Sequence, residues 1–321
     1  MRISIQKLFM AVVMSLSFTT ITYAQTVNEA GEKLNEGIKN LKAKNYDQAI
    51  VSLESCVEIC DMVGPDAFDV RSSAVAKIPI AYFKSAVAVY KSKDYPAAIE
   101  KFKKSAEIAK KYDNAKLEKN SAKNVPALYN SLSNASIKRK DFDKALSLLD
   151  EAIAYKPTYL KGYLGKARVY KELGKTAELE ANIAKILEIK SDSKTAITAR
   201  ELAGNYFLNK GVKAIGNKNY AAALPLLEKS KQYKNPDVNT YYYYAIVYNG
   251  LKKFDKALEV TKAAVTKGGS EKVIANVYFE QGNALAGLNK KTEACEAYTK
   301  ALNGPNAEAA NFQMKEVLKC K

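Results

Sequence analysis

An aromatic residue followed three positions later by alanine recurs along this chain, at Tyr46/Ala49, Tyr95/Ala98, Phe142/Ala145, Tyr220/Ala223 and Phe254/Ala257. A small residue stands twelve positions before each alanine: Gly37, Ala86, Ser133, Gly211 and Ala245. Another stands seven after it: Cys56, Ser105, Ala152, Ser230 and Ala264. In four of the five copies a further aromatic lies sixteen before the alanine, at Tyr82, Tyr129, Phe207 and Tyr241. Residues four and seven apart share one face of a helix. Small residues at matched places on two antiparallel helices let the backbones approach, and the aromatics fill the space beside them. A unit of this kind cannot bury its apolar face alone, so the pattern demands a stack of helical hairpins rather than a compact single core.

These residues resemble the tetratricopeptide repeat, a helix–turn–helix unit of about 34 residues. The fullest copy runs from Pro126 to Tyr159, with Tyr129, Leu132, Ser133, Phe142, Ala145, Leu149, Ala152 and Pro157 at signature places. Two weaker copies keep register. One has Tyr163, Ala167 and Tyr170, then Leu179 and Ile186 where small residues are expected. The last has Tyr278, Gly282, Leu285, Ala294, Tyr298 and Ala301, with Lys291 in the aromatic's place. The resemblance implies an all-α fold, an α-solenoid wound as a right-handed superhelix of about seven hairpins. The repeat array spans 25–305, and a capping helix over 306–321 buries Ala309, Phe312, Val317 and Leu318.

From Ala49 the signature alanine position advances by 49, 47, 34, 44, 34 and 37 residues, ending at Ala294. The first two steps exceed 34 by 15 and 13, which is about four turns at 3.6 residues each. The intervening segments 61–78 and 110–125 are compatible with helix, so the N-terminal repeats are expected to have lengthened helices, with two extra turns on each flanking helix. Pro79 and Pro126 then mark a helix start or an internal kink.

The N-terminus has the pattern of a signal peptide over 1–24. Arg2 and Lys7 precede the apolar run Leu8–Phe18, and Thr22-Tyr23-Ala24 supplies small residues before a cleavage at Gln25. No cysteine follows for lipid attachment, and no later stretch is long enough to span a membrane, so a mature periplasmic or secreted protein is expected.

The chain has no histidine, which excludes Ser-His-Asp and Cys-His mechanisms and imidazole-held zinc. No catalytic residue, metal or cofactor is expected. Gly174-Lys175-Thr176 has Val169 where a P-loop needs glycine, and reads as the turn of a hairpin. The 51 Lys and Arg against 34 acids give a net charge of +17, yet only five of the 51 are Arg. Eight lysines between Lys101 and Lys123, followed by Lys138-Arg139-Lys140, form a basic stripe. Export and the scarcity of Arg argue against nucleic acid; an anionic envelope glycan, a lipid headgroup or an acidic protein surface fits better, and a solvated face better still.

Within the resemblance, the first-helix positions that line the family's concave groove are held here by Phe83, Asn130, Asn134, Arg168, Leu208, Tyr242, Asn249 and Asn283. In the Tyr241–Tyr244 run with Tyr248, the repeat register gives Tyr241 and Tyr248 to the core and Tyr242 to this groove. The Lys/Asn/Arg clamp by which some family members hold a terminal carboxylate is not carried over, since Leu164 and Gly165 occupy the neighbouring repeat. The resemblance implies a non-catalytic scaffold holding an extended peptide, protein segment or glycan, and the signal pattern places it in the cell envelope as an expectation. The alternatives are an assembly or regulatory subunit docking through its convex face or ends and, more remotely, a groove-based enzyme.

Four cysteines remain: Cys56, Cys60, Cys295 and Cys320. Cys56 and Cys60 leave one helix in nearly parallel directions, which strains a bridge between them. Cys295 and Cys320 are the candidate disulfide, set against free buried thiols; a straight terminal hairpin leaves them about 10 Å out of step, which a frayed turn or a tilted cap would close.

Overall fold

The computed structural model describes residues 26–320; the signal-peptide expectation at 1–24 lies outside the described residues. Among these residues all regular structure is helical. Seven hairpins follow one another, each a first (A) and a second (B) helix: α1 (Val27–Ala43) with α2 (Tyr46–Val63), α3 (Phe68–Lys91) with α4 (Tyr95–Lys111), and α5 (Ala115–Lys138) with α6 (Phe142–Tyr155). Then come α7 (Leu160–Glu172) with α8 (Thr176–Lys190), α9 (Lys194–Gly216) with α10 (Tyr220–Tyr233), α11 (Val238–Gly250) with α12 (Phe254–Lys267), and α13 (Glu271–Gly287) with α14 (Lys291–Ala301). The chain divides into two compact units, Met1–Pro157 holding three hairpins and Thr158–Lys321 holding four.

The signature residues do the packing that their size dictates. Ala49, Ala98, Ala145, Ala223, Ala257 and Ala294 have no exposed surface. Four residues after each lies the side chain that fills the space opposite the small residue of the A helix. A Cβ on Gly37 would come 2.7 Å from Leu53 Cγ, and one on Gly211 would come 2.9 Å from Leu227 Cδ2. Gly282 likewise faces the ring of Tyr298. Glycine is used here for close approach, not for its backbone freedom.

The turn inside every hairpin places one residue in the left-handed region: Lys44, Lys93, Lys140, Gly174, Lys218, Lys252 and Asn289. Gly174 thus sits in a hairpin turn at φ +70°, where its lack of a Cβ matters. The following residue often caps the B helix. Asp94, Asp141 and Asn219 each accept a hydrogen bond from the N–H three residues on.

The long repeats are lengthened unequally. In the second and third hairpins the A helices α3 and α5 have 24 residues each, and in the fifth α9 has 23, while the B helices α2 and α4 have 18 and 17. The extra turns therefore belong mainly to the A helices rather than equally to both. Pro79 and Pro126 lie inside α3 and α5, with about eleven residues of helix ahead of each. The added turns are tied down by side chains. Arg71 pairs with Asp61, the Tyr82 hydroxyl donates to Glu54 at 2.8 Å, and Ser105 and Ser121 share a buried hydroxyl bond of 2.8 Å.

Within each unit consecutive A helices touch as well as the partners of each hairpin, whereas consecutive B helices do not pack along one another. Side chains bridge some of the gaps: Lys229 of α10 reaches Glu180 of α8 at 2.6 Å. Where no bridge fills them, clefts open between B helices, floored by the intervening A helix.

The C-terminus departs from the expected capping helix. Helix α15 (Ala307–Phe312) is only six residues long and passes into a π-turn over Gln313–Val317. Its inward residues are Ala310, Met314 and Leu318, spaced by four, while Ala309, Phe312 and Val317 are exposed. Ala309 and Phe312 face outward in ordinary helix ahead of the π-turn, in a register one position off that of the inward Ala310, and the wider turn bears only on Val317. Cys295 and Cys320 are joined by a disulfide with Cα atoms 5.9 Å apart. The wider turn shortens the return path and brings Cys320 back beside α14. Cys56 and Cys60 are buried free thiols, and burial, with Cys60 alongside, pushes the Cys56 thiol up to about 12.

Candidate functional site

Tyr242, Asn249 and Asn283 of the predicted groove set gather around a residue that set did not contain, Glu280. Asn249 ends the A helix α11, and Glu280 and Asn283 lie one turn apart on the next A helix, α13, so the contact between these helices brings them together. Glu280 is 8% exposed. Its Oε2 accepts from Asn249 Nδ2 at 2.8 Å and from Asn283 Nδ2 at 3.2 Å, and its backbone carbonyl accepts from Asn249 Nδ2 at 2.9 Å. Asn283 Oδ1 in turn accepts from the hydroxyl of Tyr298 at 2.8 Å, which links the group to the core of the last hairpin.

No lysine or arginine neutralises this carboxyl among the described residues. Burial raises its affinity for a proton above that of an ordinary carboxyl, and the two asparagine amides offset only part of that rise. Burial and then the nearness of Glu280 also push up the phenols of Tyr242 and Tyr298. Asn249 Oδ1 is buried with no hydrogen-bond partner. A buried acceptor without a donor costs roughly 1–3 kcal/mol, so the A-helix face of the second unit holds a polar centre that its own residues leave incompletely satisfied.

The other predicted groove residues are not brought together. Leu208 is half-buried and packs against the core between α10 and α11. Phe83 is half-buried, edge-on to Phe102 at a centroid distance of 6.0 Å. On α5, Asn130 is half-buried and Asn134 exposed; Arg168, on α7, is exposed. Of the tyrosine run, Tyr244 is the fully buried member, stacked on Tyr248 at 6.0 Å, while Tyr241 is only half-buried. The signal for Glu280 was present in the sequence. The positions three and four residues to either side are Asn276, Val277, Asn283 and Ala284, so it has no helical lysine partner.

The comparisons with known proteins meet this geometry at the same place. The family model described as tetratricopeptide repeat matches residues 275–303, the hairpin that holds Glu280 and Asn283. That last hairpin is a tetratricopeptide repeat by sequence as well as by shape. The hairpin matched is not Pro126–Tyr159, whose signature is fuller, but the last one, in which Lys291 replaces the aromatic. Hsp70-Hsp90 organizing protein 1 of Glycine max is 29% identical over 181 residues, covering 53% of this chain and 28% of that protein. Its counterpart in Arabidopsis thaliana is 28% identical over 185 residues, covering 56% of this chain and 30% of the other. The chain thus spans less than a third of the length of the curated relatives it matches. Among solved structures, the C-terminal part of a TPR repeat-containing protein from Cytophaga hutchinsonii aligns over 86% of this chain and 98% of its own, at 14% identity and a TM-score of 0.41.

Proposed function

We propose that this protein is a non-catalytic scaffold whose A-helix face in the second unit holds an extended segment of a protein partner. The observation that carries the reading is the Glu280 centre. An extended peptide offers backbone donors and acceptors along its length, and the half-buried amides of Asn249 and Asn283 around Glu280 are a polar patch on this face with which it can exchange hydrogen bonds. Tyr242, two turns before Asn249 on the same helix, supplies a large amphipathic surface at low entropic cost. The likeness to proteins named as organisers of Hsp70 and Hsp90 supports a protein ligand, and offers no support for the glycan and lipid headgroups considered from charge.

We also propose that the protein works outside the cytoplasm. The N-terminal signal pattern and the Cys295–Cys320 bridge support this, because disulfides persist in oxidising compartments. The test of the function is selection of peptides on the full-length mature chain, followed by affinity measurement against variants. Asn283→Ala and Tyr242→Ala should each weaken the selected peptides by about tenfold, the equivalent of 1.4 kcal/mol, with the melting temperature preserved in Tyr242→Ala. Peptides that bind both variants as tightly as the parent would refute the site.

A further inference from the structure

Three clefts in the molecule occupy one equivalent position, between successive B helices with the intervening A helix as floor. Two lie in the second unit and carry acids of their own. One, of about 180 Å³, sets Glu228 and Glu259 beside Lys231 and Lys256; the other, of about 260 Å³, sets Glu293 and Glu296 beside Lys262, Lys290 and Lys300. The third lies in the first unit, between α4 and α6 over α5, and is larger and more apolar. It is half-open, about 410 Å³, and its walls are largely apolar: Ile99 from α4, Tyr129 and Leu132 from α5, and Leu148 from α6. Its one acid, Glu100, is already neutralised, for Lys103 Nζ donates to Glu100 Oε1 at 3.0 Å and to the Tyr129 hydroxyl at 3.1 Å.

Two cations stand at its rim. Arg139 follows the last turn of α5 and Lys144 lies in the first turn of α6; both are exposed, and neither is ion-paired among the described residues. Lys138 and Lys140 add to the positive field beside them. An apolar trough with two unpaired cations at its rim, one just past the end of α5 and one in the first turn of α6, is complementary to one kind of ligand.

We propose that this cleft is a second binding surface, separate from the Glu280 face, and that it takes a segment of an acidic protein partner in which one large apolar side chain is flanked by carboxylates. The apolar side chain covers Ile99, Leu132 and Leu148. The carboxylates meet Arg139 and Lys144. Charge complementarity sets the sign of the partner. Arg139 and Lys144 flank one hairpin turn beside the apolar trough, which suits a segment that carries carboxylates next to an apolar side chain. The half-open shape suits a side chain delivered by a larger partner, since free small ligands rely on nearly complete enclosure.

The experiment uses the full mature chain and fluorescently labelled nine-residue peptides with Leu or Phe at the centre and Asp and Glu on both sides, read by anisotropy. Control peptides replace the acids by Lys, or the central residue by Ser. Acidic peptides with the apolar centre should bind saturably, and both controls should bind at least tenfold more weakly. Arg139→Glu with Lys144→Glu should weaken the acidic peptide at least tenfold. Ala135→Trp, which fills the cleft from its half-buried wall, should abolish binding, while Tyr242→Ala should leave it unchanged. Because Ala135→Trp perturbs packing, its circular dichroism melt is compared with the parent's; the surface pair Arg139→Glu/Lys144→Glu keeps the test decisive if it fails to fold. The proposal is overturned if no acidic–apolar peptide binds the parent, if the Ser-centred control binds equally well, or if the charge reversals leave affinity unchanged. Phosphatidylglycerol vesicles that bind the parent and lose binding on Arg139→Glu, with no peptide binding, would assign the cleft to a lipid surface instead.

Discussion

Two glycines in one helix give opposite answers to the same substitution. Gly31 and Gly37 both lie inside α1. A Cβ at Gly31 meets nothing within 4 Å, so Gly31→Ala gains only the helical advantage of alanine, about 0.5–1 kcal/mol. A Cβ at Gly37 comes 2.7 Å from Leu53 Cγ and 2.8 Å from Leu53 Cδ2. Leu53 is fully buried, and the contact is with its branch point, so the side chain cannot swing a free end out of the way. Overpacking of this kind costs about 1–3 kcal/mol, and it outweighs the helical gain. Gly37→Ala should therefore be destabilised by about 0.5–2 kcal/mol and Gly31→Ala stabilised, a spread of roughly 1–3 kcal/mol between them. Urea titration followed by circular dichroism at 222 nm reads both. Leu53→Ala alone should cost about 2–5 kcal/mol, and adding Gly37→Ala to it should cost nothing or stabilise, because the clashing group is gone. A Gly37→Ala protein as stable as Gly31→Ala, or a double variant showing simple additivity, would refute the claim that signature glycines exist for close approach.

Other perturbations follow the same reasoning. Burial raises the Glu280 carboxyl, so above pH about 4.3 the unfolded chain ionises this group while the folded protein still holds its proton. Stability is then lost as pH rises towards the folded-state value, and Glu280→Gln should remove that slope. The variant should gain on the order of 1 kcal/mol over the parent at pH 8 and little at pH 4, measured by denaturant melts. Replacing Cys295 and Cys320 by Ser opens a closure with a sequence separation of 25, costing about 3.5 kcal/mol in the chain-entropy model. The loss should appear as faster amide exchange confined to α14 and α15. Lys218→Gly relieves a lysine held at φ +56° and should stabilise by about 0.5–1 kcal/mol in thermal melts.

The fold was legible because its rules are local and repeated. Alanine 49 and its equivalents, the small residue twelve before and the large one four after are set by helix periodicity, and each hairpin restates them. The seven hairpins were readable for that reason, as was the turn at Gly174. The distribution of the extra turns was not, because a spacing of 49 residues fixes the sum of two helices and a turn but not its division. The face of the terminal helix was misread at Ala309 and Phe312, whose register lies one position off that of the inward Ala310, and at Val317, where a π-turn breaks the 3.6-residue count. The candidate site was legible only in part. Asn249 and Asn283 were selected by register, but register assigns Glu280 to no face; its burial depends on the approach of α11 to α13. The first-unit cleft was missed for a related reason. Leu132 is a signature position, and the separation of neighbouring B helices, which leaves it lining a cleft, is a tertiary property.

The central claim is that the A-helix face around Glu280 holds a protein segment, and site-specific photocrosslinking of the full chain with a selected peptide tests it most directly. A benzophenone side chain placed at Tyr242 should crosslink to the peptide, and one placed at Lys231, on the B-helix side of the same unit, should not. Excess unlabelled peptide should abolish the crosslink, and Asn249→Ala should reduce it about tenfold. Efficient crosslinking from Lys231 with none from Tyr242 would contradict the account and assign binding to the opposite side of the hairpins.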